Sequence, residues 1–160
     1  MKCVIYHCYG GNHSSVVAAA LHVGLLPENR LPFFEEIMTC PYFDCFTKKN
    51  AGELHFMGKD GENNLVFTMG CLKAGLVVEK AVNEILRALN HKKHEVIMVN
   101  TLPIVNIPLK IGGFISRSLG MIFPGRWLAV KGILMSYNSI HLLVQKTKKQ
   151  LSQEKKEILY

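Results

Sequence analysis

Near its start the chain runs from a short apolar segment, Lys2-Cys3-Val4-Ile5-Tyr6, through the turn residues Gly10-Gly11-Asn12 into Ser14-Ser15 and an alanine-rich stretch. This order constrains the fold more than any other feature. An apolar run without polar alternation reads as a strand buried on both faces, and such strands belong to parallel sheets. Glycine and asparagine mark the turn that follows. Ser14 or Ser15 supplies the cap for a helix over Val16 to Leu25, which Gly24 and Pro27 stop. A buried strand, a loop and a helix in that order open an α/β unit.

The rest of the chain repeats the alternation. Pro32 opens a short helical piece from Phe33 to Thr39 that ends at Pro41. Glu53 to Met57 and Leu65 to Met69 read as two strands of a hairpin, joined through Lys59-Asp60-Gly61-Glu62-Asn63. Leu76 to Asn90 is amphipathic, with Val77, Ala81, Ile85, Leu86 and Leu89 on one face, which is expected to be the buried one. His91 to His94 is a polar turn before a second buried strand, Val96 to Val99. Leu109 to Met121 reads as helix despite its glycines, Trp127 to Val130 as a third buried strand, and Tyr137 to Leu151 as the last helix, capped near Ser136. The expected fold is a three-layer α/β sandwich with a mainly parallel sheet and an antiparallel edge hairpin. Residues 1–151 form one domain in this reading, and 152–160 a basic, frayed tail.

Composition limits what such a domain does. With 160 residues, 49% of them apolar and 19% charged, the chain can bury a core without staples and is not mainly disordered. The formal net charge of +7 is unevenly placed. Residues 1–80 carry 7 basic and 8 acidic residues, whereas residues 81–160 carry 12 and 4. No Asp or Glu falls between Glu95 and Glu154. A long acid-free segment favours an anionic partner. The cluster from Lys146 to Lys156 reads as a solvated helix end. Arg117, Arg126 and Lys131 stand instead among apolar residues, where an unpaired charge is costly.

The start resembles no signal peptide, and no run of apolar residues is long enough for a membrane span, so a cytoplasmic protein without a membrane partner is expected. Five cysteines without a regular framework read as reduced thiols. Cys40 and Cys45 match no recognised zinc spacing, nor do His7, Cys8 and His13, and no metal site is expected.

The strongest chemical signal is the loop His7-Cys8-Tyr9-Gly10-Gly11-Asn12-His13-Ser14-Ser15. In open α/β sheets ligands bind at the carboxyl ends of the strands. A glycine pair lets backbone approach a ligand, and the next helix offers free N–H groups at its positive end. A phosphate, sulfate or carboxylate suits Gly10, Gly11, Asn12, Ser14 and Ser15; a tight turn with a serine cap accounts for the same residues without a ligand. His13 is a candidate general base or phosphate-binding cation, and Cys8 a candidate nucleophile beside a helix N-terminus. His22, among apolar neighbours, reads as a satisfied core or rim histidine. A phosphate-binding P-loop is a poor match, because His7 and Asn12 replace its glycines. The frame His7-Cys8, Gly10 and Ser15 resembles the loop of small bacterial-type tyrosine phosphatases. Ser14, however, stands where their phosphate-clamping Arg belongs, and no Asp-Pro general acid is evident.

A parallel sheet brings other strand ends toward this loop, which adds Asn100, Ser116, Arg117 and Lys131 as candidate ligand residues. Arg117 is then a replacement for the missing clamp, in a segment that offers it no acidic partner. Gly112-Gly113 reads either as part of that site or as close helix packing. Core burial and an interface account equally well for the apolar segment Met121 to Leu134, so the oligomeric state is not legible.

The same residues resemble a family of small Gram-positive bacterial proteins catalogued as domain of unknown function 3189. The likeness is carried by the opening strand with His7 to Ser15, Ala18-Ala19-Ala20, His22, Gly24 and Leu26-Pro27, then by Gly112 to Arg117, Gly125-Arg126 and Lys131-Gly132-Ile133, and it spans nearly the whole chain. It implies a bacterial, cytoplasmic protein and brings no activity, cofactor or catalytic residue with it. It also implies that the two glycine-bearing motifs serve one site. The function expected is binding of a nucleotide or another small phosphorylated molecule. The alternatives are a cysteine-phosphatase-like hydrolase using Cys8 and a non-enzymatic regulatory or interaction module. Without a recognised motif or aromatic stacking set, nucleic acid ranks behind these.

Overall fold

The computed structural model describes residues 1–90 and 95–158, with side chains described as far as Gln153. The expected turn at His91 to His94 and the end of the expected tail lie outside the described residues. The elements are β1 (Cys3–Cys8), α1 (Ser14–His22), α2 (Phe34–Met38), β2 (Leu54–Lys59), β3 (Leu65–Gly70), α3 (Gly75–Ala88), β4 (Val96–Asn100), α4 (Ile107–Ser118) and α5 (Ile122–Ile158). The sheet order is β2-β3-β1-β4; β1 pairs parallel with β3 and β4, and β2 antiparallel with β3. This is the α/β fold read from the sequence, with its edge hairpin. No helix among the described residues is long and apolar enough to cross a membrane.

Strand alternation sorts the side chains into two faces. Val4, Tyr6, Val66, Ile97 and Val99 join Val16 to Leu21 of α1 and Val130, Ile133, Ile140 and Val144 of α5 in the main core. On the other face Ile5, Met69 and Cys71 meet Val78 of α3. A polar relay crosses the main core: Tyr6 Oη lies 2.8 Å from His22 Nδ1, and His22 Nε2 lies 3.2 Å from Asp60 Oδ2. His22 is thus a satisfied core histidine. Burial pushes its pKa down despite the nearby Asp60 carboxylate.

Three local expectations are corrected. Trp127 to Val130 is helix, part of α5, and not a strand. A four-residue apolar run cannot separate the two states; the deciding signal is the spacing of the buried residues Ala129, Ile133, Tyr137, Ile140 and Val144, one face of a helix that continues past Ser136. Ser136 therefore caps nothing: its hydroxyl donates to Ile104 O and accepts from Asn106 Nδ2. On α3 the most apolar face looks outward, with Val77 and Ile85 exposed, and the helix leans on the sheet through the neighbouring Val78.

Two backbone crossings explain most of the buried glycines. Gly11 has φ +69, and a Cβ there would stand 2.6 Å from Gly70 N; one on Gly70 would meet Gly10 in return. Around this crossing Cys71 N–H donates to Cys8 O and Leu72 N–H to Tyr9 O, so the β1–β3 pairing continues into the loops. The second crossing joins α4 to α5. Cβ atoms on Gly112, Gly125 and Gly132 would press on the backbone of Ala129, Ser116 and Leu109. The close-packing reading of Gly112 is the one the structure adopts.

Gly132→Ala should test this packing. Its Cβ would lie 2.5 Å from Leu109 N, a backbone atom that cannot swing aside. The variant is expected to lose roughly 1–3 kcal/mol in urea denaturation, net of the gain in helix propensity. Gly61→Ala, in open space, is expected to stay within about 0.5 kcal/mol of the parent.

Candidate functional site

The loop after β1 reaches the carboxyl edge of the sheet and enters α1 at His13, the residue before the first helical position. Ser14 and Ser15 are therefore not caps. They are the first two helical residues, both buried, and their hydroxyls point into the protein. Ser14 Oγ lies 2.9 Å from Thr101 Oγ1, which donates to His7 O. Ser15 Oγ accepts from Thr68 Oγ1 at 2.8 Å and lies 3.2 Å from Cys8 Sγ. Cys8 Sγ also accepts the N–H of Gly11 at 3.2 Å. One backbone donor and one hydroxyl thus meet a buried sulfur at the floor of the loop. At the start of α1 the N–H groups of Ser14, Ser15 and Val16 have no acceptor within the helix, and all three residues are buried.

Asn12 is also committed. Its Nδ2 donates to Phe46 O at 2.8 Å and its Oδ1 accepts from Phe46 N–H at 2.6 Å, while Asn12 O accepts from Asp44 N–H. This clip holds the segment after α2 against the β1–α1 loop and delivers Asp44 to the site. Asp44 is fully buried, with φ 55, a left-handed conformation that Asp tolerates better than most residues.

Asp44 is the residue that the sequence reading missed. His13 Nε2 donates to its Oδ1 at 3.0 Å, Ser116 Oγ to its Oδ2 at 2.5 Å, and Arg126 Nε to the same Oδ2 at 2.9 Å. Arg117 places Nε 3.6 Å from Oδ1 and donates Nη1 to the backbone carbonyl of Asp44. Burial would raise this carboxyl, but the donors from His13, Ser116 and Arg126 outweigh it and hold it well below the usual carboxylate range. One signal was available. A lone acid in Cys40-Pro-Tyr-Phe-Asp-Cys-Phe needs a partner for the same reason as an arginine among apolar residues.

The segment around Arg117 offers it no acid, as expected, and its acidic partner is the distant Asp44. His13, Ser116 and Arg117 do come together, and Arg126 joins them. Gly113 leaves room for the imidazole: a Cβ there would stand 3.1 Å from His13 Cε1. Two expected members lie elsewhere. Asn100 Oδ1 accepts from Leu102 N–H and closes the turn after β4, while Thr101 reaches the loop in its place. Lys131 is exposed on α5, its Nζ 3.8 Å from the centroid of Trp127. His7 and Cys8 are successive strand residues and face opposite sides of the sheet. His7 packs under Gly75 at the start of α3, so the two do not share a ligand.

An α/β sheet with a glycine loop at its carboxyl edge and two arginines converging there on one buried acid describes a class of architecture. Within that class the chain belongs to the family described as Protein of unknown function (DUF3189), whose sequence model matches residues 3–149. No curated protein and no solved structure matches.

Asp44→Asn keeps the shape and removes the charge. It is expected to cost about 2–3 kcal/mol at pH 7, a buried pair broken beside partly exposed arginines. The folded carboxyl titrates below its ordinary value of 3.8. Its contribution is therefore complete above that value and is lost as pH falls below it. Urea denaturation at pH 7 and pH 3 should show the gap between parent and variant narrowing at the lower pH.

Proposed function

We propose that this protein binds a small phosphorylated or otherwise anionic molecule, a nucleotide among the candidates, at the Gly10–Ser15 loop. One observation carries the reading. Arg117 and Arg126, both permanently charged, converge with His13 on a single carboxylate beside the N-terminus of α1. Two fixed positive charges face one negative charge, and both arginine side chains are partly exposed, 27% and 30%. Arg126 spends Nε on Asp44. Its terminal nitrogens form the donor fork that planar oxyanions accept. The N–H groups of Ser14, Ser15 and Val16 supply further donors. A bacterial, cytoplasmic setting belongs to this reading and accords with five free thiols.

The hydrolase alternative has its own support. Gly11 N–H donates to Cys8 Sγ and Ser15 Oγ lies 3.2 Å from it, so the sulfur is held in one place beside the start of α1. Asp44 fixes His13 through Nε2 and leaves Nδ1 as a proton acceptor, the arrangement of an oriented general base. In this version Arg117 and Arg126 stand in for the clamp that Ser14 cannot provide.

Isothermal titration with inorganic phosphate, ADP and ATP is the test. The parent is expected to bind at least one of them, and Arg126→Ala to weaken that binding about 10- to 100-fold. Ser14→Ala is expected to retain most of the affinity, because its N–H remains. Equal binding by Arg126→Ala, or none by the parent, would remove the proposal. Turnover of p-nitrophenyl phosphate that vanishes in Cys8→Ser would favour the hydrolase; turnover that survives would exclude Cys8 as nucleophile. Binding without turnover leaves a regulatory module.

A further inference from the structure

The α4–α5 hairpin ends in an apex whose apolar side chains the proposed site does not use, although Ser116, Arg117 and Arg126 of the same stretch reach Asp44. The turn from Leu119 through Met121 and Ile122 to Phe123 is exposed, with Phe123 80% exposed, and Phe114 and Trp127 stand exposed on the flanking helices. Six large exposed apolar side chains within residues 114–127 are more than the scattered exposed residues of an ordinary surface. The tip is not packed from within: α4 turns Gly112 and Ser116 inward, α5 turns Ala129 and Val130 inward, and the apolar residues point away.

The surrounding charge selects the partner. Lys110 and Lys131 are exposed on the same two helices, with Lys131 Nζ seated over the Trp127 ring. From residue 96 to residue 153 the sequence contains no Asp or Glu. A second copy docked through the same tip would set lysines against lysines, with no acid in the segment to meet them. An exposed apex of aromatic and aliphatic residues, with Lys131 seated over Trp127, Lys110 farther back on α4 and no acid in the segment, suits a negatively charged bilayer surface. There the apolar side chains enter the headgroup boundary and the lysines stay among the lipid phosphates. We infer that the α4–α5 apex rests on anionic membrane surface. The sequence-based expectation of no membrane partner concerned spanning segments, and a tip lying in the interface needs none.

Trp127 is the sole tryptophan of the chain, so its emission reports on the apex directly. The experiment is cosedimentation of the full chain with phosphatidylcholine vesicles, with and without a third of phosphatidylglycerol, together with the Trp127 spectrum. Binding and a blue shift are expected with phosphatidylglycerol only, and added salt should reverse both. Ile122→Asp with Phe123→Asp changes two exposed positions, and circular dichroism should confirm a retained fold. That variant, and Lys110→Glu with Lys131→Glu, should each lose at least about tenfold in partitioning. Equal binding to neutral vesicles, binding to neither, or parental binding by the Ile122/Phe123 variant would overturn the inference. So would a blue shift that follows protein concentration without lipid, which would assign the apex to self-association instead.

Discussion

The carboxylate of Asp44 holds together parts of the chain that have no other reason to meet. It receives a donor from the loop after β1 (His13), one from α4 (Ser116) and one from α5 (Arg126), and it is itself delivered by the segment after α2. A buried charge without partners would be expelled or neutralised. Here several donors fix it, and it fixes them in return. His13 is held in one orientation, Ser116 is satisfied, and Arg117 and Arg126 are drawn to the carboxyl edge of the sheet. The arginines do not reach that edge through any property of their own segment, which is apolar and glycine-rich.

The glycines make this convergence possible by letting backbones touch. Gly10 and Gly11 cross Gly70, so the β1 and β3 loops lie in direct contact. Gly112, Gly125 and Gly132 bring α4 and α5 together closely enough that Ser116, Arg117 and Arg126 address one carboxylate. The first pair was read from the sequence as room for a ligand. The structure uses it first as room for another strand's loop, and the proposed anion would be left with the N-terminus of α1 and the guanidinium groups of Arg117 and Arg126. The serines serve in the same indirect way: their hydroxyls tie the helix to Thr68 and Thr101, and the proposed anion would meet only their amides.

Much of the fold was legible because its signals are local. Continuous apolar runs marked β1 and β4, and glycine and asparagine between alternating runs marked the β2–β3 hairpin. The failures share a cause. Trp127 to Val130 is too short a run to show a period, and only the buried positions farther along α5 reveal the helix. The outward apolar face of α3 is a tertiary outcome that the period of its sequence does not carry. Asp44 carried a signal as a lone acid among apolar residues, but its partners could not be named because they are distant in sequence, Arg126 by 82 residues. Charge placement did point to Arg117 and Arg126, since charges among apolar residues must be answered somewhere. It could not name the answer, and it drew in Lys131, which faces solvent over Trp127 instead.

The central claim is that Arg117, Arg126 and the start of α1, organised by Asp44, form one anion-binding surface. Nuclear magnetic resonance reads it atom by atom, from the Nε–H signals of the two arginines and the amide signals of Ser14, Ser15 and Val16 during titration with the anion that binds. The account predicts that all five signals move together along one binding curve. Movement of signals elsewhere while these five stay fixed would contradict it.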